Sequence, residues 1–184
     1  MEQLVILLPI MGFIALAAGV VVVFRGTGRI AARTREIQQF KAAIKDLTFR
    51  TDTLLAAAAG QIDAVRHHQA GPEAISQTVA DAAETLGRFG AEARALSGPR
   101  PAQSIRDDLV NELERAIRAL GMVEHGTDML ATARRGARDL EAQTSIKRGY
   151  LNLIHAREAI ARHAVRAEDM VVDEARAGRS GFTL

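Results

Sequence analysis

The chain has 184 residues, 48% of them hydrophobic but only 4% aromatic, and a net charge of +2. It contains no cysteine, which excludes disulfides and thiolate metal sites. Seven basic side chains against two acids lie between Arg25 and Arg50, and the rest of the chain is close to balanced. The basic excess is therefore local, and the chain as a whole does not read as a nucleic-acid binder.

Leu4 to Phe24 is an uninterrupted apolar run of 21 residues with no charge inside it. As a helix it would measure roughly 31 Å, enough to cross a bilayer core of about 30 Å. Pro9 falls in its first two turns, where a missing N–H is tolerated. Only Glu2 precedes the run as a charged side chain, whereas Arg25, Arg29, Arg33, Arg35, Lys41, Lys45 and Arg50 follow it, against Glu36 and Asp46. Basic residues beside a span stay on the cytoplasmic side. The expectation is a single-pass protein of the cell membrane, amino terminus outside and carboxyl terminus cytoplasmic. A cleaved signal peptide, with Ala15-Leu16-Ala17 as its site, is the competing reading. It fits less well, because Met-Glu-Gln stands where a signal peptide carries positive charge, and apolar residues continue to Phe24.

Arg25, Arg29, Arg33 and Arg35 are the candidate membrane-surface residues, each able to contribute about 1 kcal/mol against anionic headgroups. A topology signal alone also accounts for them. Arg25-Gly26-Thr27-Gly28 lacks the preceding strand and the Lys-Ser/Thr of a phosphate loop, and its glycines read as a flexible joint.

A first helix is expected from Thr27 to Gln69. Ile30, Ile37, Ile44, Thr51, Ala58 and Val65 form one heptad series, with Phe40, Leu47 and Leu54 three residues on. Ala43, Leu55, Ala57, Ile62 and Ala64 widen the stripe, which favours a bundle within one chain over a bare two-stranded coil. Ala70-Gly71-Pro72 is the first break, with Gly ending one helix and Pro opening the next. The second helix, about Glu73 to Leu96, carries Ile75, Val79, Ala82, Leu86, Phe89, Ala93 and Leu96 at alternating spacings of four and three. Leu86 and Phe89 are predicted to be buried at its centre.

Ser97-Gly98-Pro99-Arg100-Pro101 is the clearest turn, and a third helix begins near Ala102 or Ser104, with Asp107 and Asp108 early in it. Its stripe includes Ile105, Leu109, Leu113, Ile117, Leu120, Val123 and Leu130. Arg134-Arg135-Gly136 reads as a basic last turn and a stop, with Asp139 capping a fourth helix, although a helix continuous through Gly136 is the alternative. The fourth stripe is Leu140, Ile146, Tyr150, Leu153, Ile154, Ile160, Ala164, Val165 and Val171. The expected organisation is a transmembrane anchor over 1–25, a cytoplasmic helical bundle over 26–177 and a disordered tail over 178–184. The fold class is all-α: one transmembrane helix, then an antiparallel bundle of about four long helices with coiled-coil-like packing.

No reaction centre emerges. His67, His68, His125, His155 and His163 form neither a Glu-x-x-His pair nor a His-Glu-x-x-His motif, and His155 and His163 lie two turns apart. Solvated or helix-capping histidines are the adopted reading. Ser76, Ser97, Ser104, Ser145 and Ser180 sit in no strand-turn-helix elbow. Arg134, Arg135 and Arg138 are a second basic cluster that dipole complementarity explains as well as an anionic partner does. The terminal Phe182-Thr183-Leu184 could dock as a strand in a peptide-binding domain, a role most hydrophobic tails do not have.

No catalytic residue, metal, cofactor, nucleic acid or small-molecule substrate is expected. In layout only, the chain resembles bacterial single-span proteins with cytoplasmic helical bundles, a likeness that transfers no residues. The leading expectation is a non-enzymatic, membrane-anchored interaction or scaffolding protein whose partners are the bilayer and either another protein or, weakly, a second copy. The alternative is a signalling or sensor subunit coupling the span to the bundle.

Overall fold

A computed structural model describes the backbone of residues 2–132 and 137–180 and the side chains of 32–132 and 138–170. Four α-helices account for the described backbone, and no strand occurs among the described residues: α1 (Glu2–Arg66), α2 (Glu73–Ala95), α3 (Arg100–Thr132) and α4 (Ala137–Ser180). The chain divides into two compact units, Met1–Gln39 and Phe40–Leu184.

In the first unit α1 runs as one helix through Gly26 and Gly28, where the sequence suggests a flexible joint. Arg33 and Arg35 are exposed and Ile37 is buried. Among the described residues no helix is long and apolar enough to cross a membrane. The side chains of Leu4 to Phe24, and those of Arg25 and Arg29, lie outside the described set.

The second unit is an antiparallel bundle. Ion pairs give the pairing and direction of each neighbour: Arg50 with Glu92 joins α1 to α2, and Arg94 with Glu114 joins α2 to α3. Arg166 with Asp108 at 3.0 Å joins α3 to α4. Asp52 with Arg157, and Lys45 with Glu168 at 3.6 Å, bring α4 back beside α1. Pairs as exposed as these contribute about 0–1 kcal/mol each, so burial of the apolar stripes supplies most of the stability. α3 ends at Thr132 and α4 starts at Ala137, and the third boundary with Gly136 falls between them. Residues 133–136 lie outside the described set.

The core follows the heptads with a phase shift. In α1 the buried series is Phe40, Ile44, Leu47, Thr51, Leu55, Ala58, Ile62 and Val65, with two consecutive spacings of four around Thr51. Leu55 and Ile62, flanking residues in the sequence reading, are fully buried, whereas Leu54 is half-buried. An extra four-residue step unwinds the supercoil locally, because 3.6 residues per turn drifts against a strict repeat of seven. The same step recurs in α3 along Ile105, Leu109 and Leu113. Three expectations fail for related reasons. Phe89 is only half-buried, with Gly90 taking the inward position and the Arg50 guanidinium stacked 4.9 Å from the ring centroid. Leu140 and Val165 are exposed at 73% and 59%, since the inward face of α4 runs through Ala142, Ile146, Gly149, Leu153, Ala156 and Ile160.

The connections also differ from the expected ones. α1 ends at Arg66 in a Schellman arrangement, with Gln69 N–H donating to the Ala64 carbonyl at 2.8 Å and His68 N–H to the Val65 carbonyl at 3.0 Å. The left-handed residue that closes it is His68 (φ 57°), so Gly71 is not the stop. α3 begins at Arg100, with Pro101 in its first turn. At this end of the bundle Gly98 lets the α2–α3 turn lie against Phe40: a Cβ there would stand 3.0 Å from the Phe40 ring and from Ala102. α4 is helical to Ser180, past the point where a disordered tail was expected to begin, and residues 181–184 lie outside the described set.

Candidate functional site

Polar groups facing inward are few. Thr48 and Thr51 are buried in α1 with hydroxyls that have no hydrogen-bond partner among the described residues, and Thr127 in α3 donates to the Glu124 carbonyl at 2.8 Å. No group of three His, Cys, Asp or Glu side chains able to hold a metal ion occurs among the described residues.

The histidines are dispersed. His125 and His155 are exposed, and His67 stands 3.6 Å from Asp63 at the end of α1. His163 occupies a seam position of α4, half-buried between Ile160 and Ala167. Burial pushes its imidazole below the usual value, Arg166 and Arg162 act in the same direction, and Asp108 and Glu112 oppose them. Arg166 lies 3.4 Å from its Nδ1 while also donating to Asp108.

Asp52 and Arg157 form the most specific polar contact between helices. Arg157 Nε donates to one carboxylate oxygen at 2.5 Å and Nη2 to the other at 3.1 Å. This two-pronged hydrogen bond holds the Asp52 carboxyl below its usual range, against the opposing effect of burial. Such planar complementarity fixes the register of α4 on α1 more than it adds stability.

The described residues also line a half-open cavity of about 430 Å³ at the end of the bundle opposite Phe40. Val65, Leu130 and Ile146 give it an apolar floor, with Ala70 and Pro72 beside them. Arg66, His68, Lys147, Gln143 and Asp139 supply its polar rim. Arg66 is fixed on both sides, paired with Asp63 at 2.7 Å and stacked 4.3 Å from the centroid of Tyr150. The sequence reading missed this site because its residues come from α1, α3, α4 and the α1–α2 connection. The one available signal was a histidine pair at a helix end. A shallower groove between α3 and α4, lined by Met122, Met129, Leu140 and Arg148, leaves Leu140 open to solvent.

Arg33 and Arg35, from the membrane-surface set, are close neighbours on the exposed part of α1 and belong to the other unit. Of the second basic cluster, Arg138 is exposed, and Arg134 and Arg135 lie outside the described residues, as does the Phe182-Thr183-Leu184 terminus. No protein-family model, curated protein or solved structure matches the chain.

Proposed function

We propose that this is a non-enzymatic, single-pass membrane protein whose helical bundle acts as an interaction or scaffolding domain on the cytoplasmic face. The observation that carries the reading is the junction at Phe24, a charge-free run of 21 residues followed at once by Arg25, Arg29, Arg33 and Arg35. The bundle supports it in a second way. Its inward stripes are built from Leu, Ile, Val and Ala, with little of the facing acid–base chemistry that a bundle-core enzyme needs. The outer faces, rich in Arg and Glu and carrying exposed Phe49, Leu140 and Val165, are available to a protein partner.

A signalling or sensor role is the second reading. The course of α1 as one helix through Gly26 and Gly28 favours it, since a helix carries a tilt or rotation further than a loose joint does. Carboxyl-terminal fusions test the shared premise. A fluorescent-protein fusion should be bright and an alkaline phosphatase fusion inactive; the reverse pattern would overturn the orientation. Affinity capture from solubilised membranes then separates the roles: a scaffold retains its partner whatever the state of the span, and a sensor does not.

A further inference from the structure

We propose that the cavity at the α1–α2 end of the bundle is a binding site for a small organic monocarboxylate, an anionic head on an apolar body. Its volume, about 430 Å³, lies within the usual range of small-molecule sites. Leu130 and Ile146 provide an apolar floor, and Arg66, His68 and Lys147 stand at its rim with one carboxylate, Asp139. Arg66 is preorganised by its bond to Asp63 and its stacking on Tyr150, so little side-chain freedom is lost when an anion arrives. Lys147 makes no ion pair among the described residues, and a carboxylate would give it one.

His68 is the independent observation. It holds the left-handed position that closes α1, with φ 57°, where glycine is the usual occupant and a side chain adds strain. The same residue is one of those that line the cavity. Glycine would take this conformation with less strain. The geometry assigns His68 to the ligand: it lines the same cavity as Lys147, whose ammonium supplies the charge.

The test uses the full chain in bilayer nanodiscs and the monocarboxylates from butyrate to octanoate, with 4-phenylbutyrate, each against its neutral amide. Tyr150 is the only tyrosine and tryptophan is absent, so tyrosine fluorescence reports on Arg66 beside the site. Equilibrium dialysis gives occupancy, and empty nanodiscs correct for partitioning into lipid. Saturable binding of at least one carboxylate in the millimolar range or tighter is expected, about tenfold weaker for its amide and for Lys147→Gln. His68→Gly should weaken binding several-fold while raising Tm, a combination that a purely structural histidine would not give. Absence of saturable binding by every carboxylate would overturn the proposal, as would equal binding of acids and amides. Binding of polyglutamate with no monocarboxylate bound would overturn it as well, showing a surface for acidic chains.

Discussion

The two halves of the bundle differ in where glycine stands in the packing. Between α1 and α2 the core is made of large side chains, Ile44, Leu47, Leu55 and Ile62 on one helix and Ile75, Val79 and Leu86 on the other. α3 and α4 also bury large side chains, Leu109, Leu113, Leu120, Leu153 and Ile160, but here two glycines stand in the packed interface. A Cβ on Gly126 would stand 2.6 Å from Ile146 Cγ1 and 2.9 Å from the Ala142 carbonyl oxygen, and one on Gly149 would stand 2.7 Å from the Ala119 carbonyl oxygen. Those two backbones are nearly in contact, with Ala116, Ala119, Ala142 and Ala156 also buried along these helices. A chain poor in aromatic residues therefore fills both interfaces with branched aliphatics and, between α3 and α4, adds close backbone approach. At Gly126 and Gly149 the α3–α4 interface requires the absence of a side chain, a demand placed on no glycine of α1 or α2 among the described residues.

Substitutions can break this contrast. Leu86→Ala should have the largest effect, a loss of about 2–5 kcal/mol read from denaturant unfolding, because the fully buried side chain leaves a cavity between large neighbours. Gly149→Ala should cost about 1–3 kcal/mol, since the added methyl meets a backbone carbonyl that has no rotamer to move. Gly87→Ala is the control on an exposed face with nothing within 4 Å, and should stabilise by about 0.8–1 kcal/mol through helix propensity. If Gly149→Ala behaved like Gly87→Ala, the close approach of α3 and α4 would be wrong.

Thr51→Val sharpens the picture at the phase shift in α1. Removing a fully buried hydroxyl that lacks a partner among the described residues, while keeping its shape, should stabilise by about 1 kcal/mol, and no gain in Tm would mean that the hydroxyl is satisfied in solution.

Acid should act on two groups in sequence. The folded protein holds His163 below its ordinary value of 6.5, so protonation favours the unfolded chain. Stability then begins to fall as the pH drops through the unfolded value and levels off below the folded one. Asp52 has its carboxyl lowered from 3.8 by Arg157, so its contribution is present above that value and is lost as the pH falls through the lower folded one. His163→Gln should remove the first step and leave the second, as followed by Tm against pH.

Much of this architecture was legible in spacing alone. The heptads, the Gly-Pro breaks and the absence of strand patterns lead to four antiparallel helices, and the stripe of α2 reads correctly from Ile75 to Leu86. What could not be read was phase and proximity. Leu55 rather than Leu54 is buried because the drift of 3.6 residues per turn against seven accumulates until a spacing of four relieves it. Gly126 and Gly149 look no different in sequence from Gly60, Gly87 and Gly121, which have open space where a Cβ would lie. Their role depends on how near the neighbouring backbone stands. The helix stop at His68 was hidden because Gly71, the better residue for the task, lies three positions on. The cavity was hidden with it, because its rim comes from α1, α4 and the α1–α2 connection, which meet only in the folded bundle.

The absence of native cysteine gives direct access to the central claim, that the run from Leu4 to Phe24 spans a membrane and leaves the bundle inside. Single cysteines at Gln3→Cys and Glu174→Cys, probed on intact cells with a membrane-impermeant maleimide, place the two sides of the span. The account predicts labelling of Gln3→Cys in intact cells and of Glu174→Cys only after lysis; labelling of Glu174→Cys in intact cells, or recovery of the protein in the soluble fraction, would contradict it.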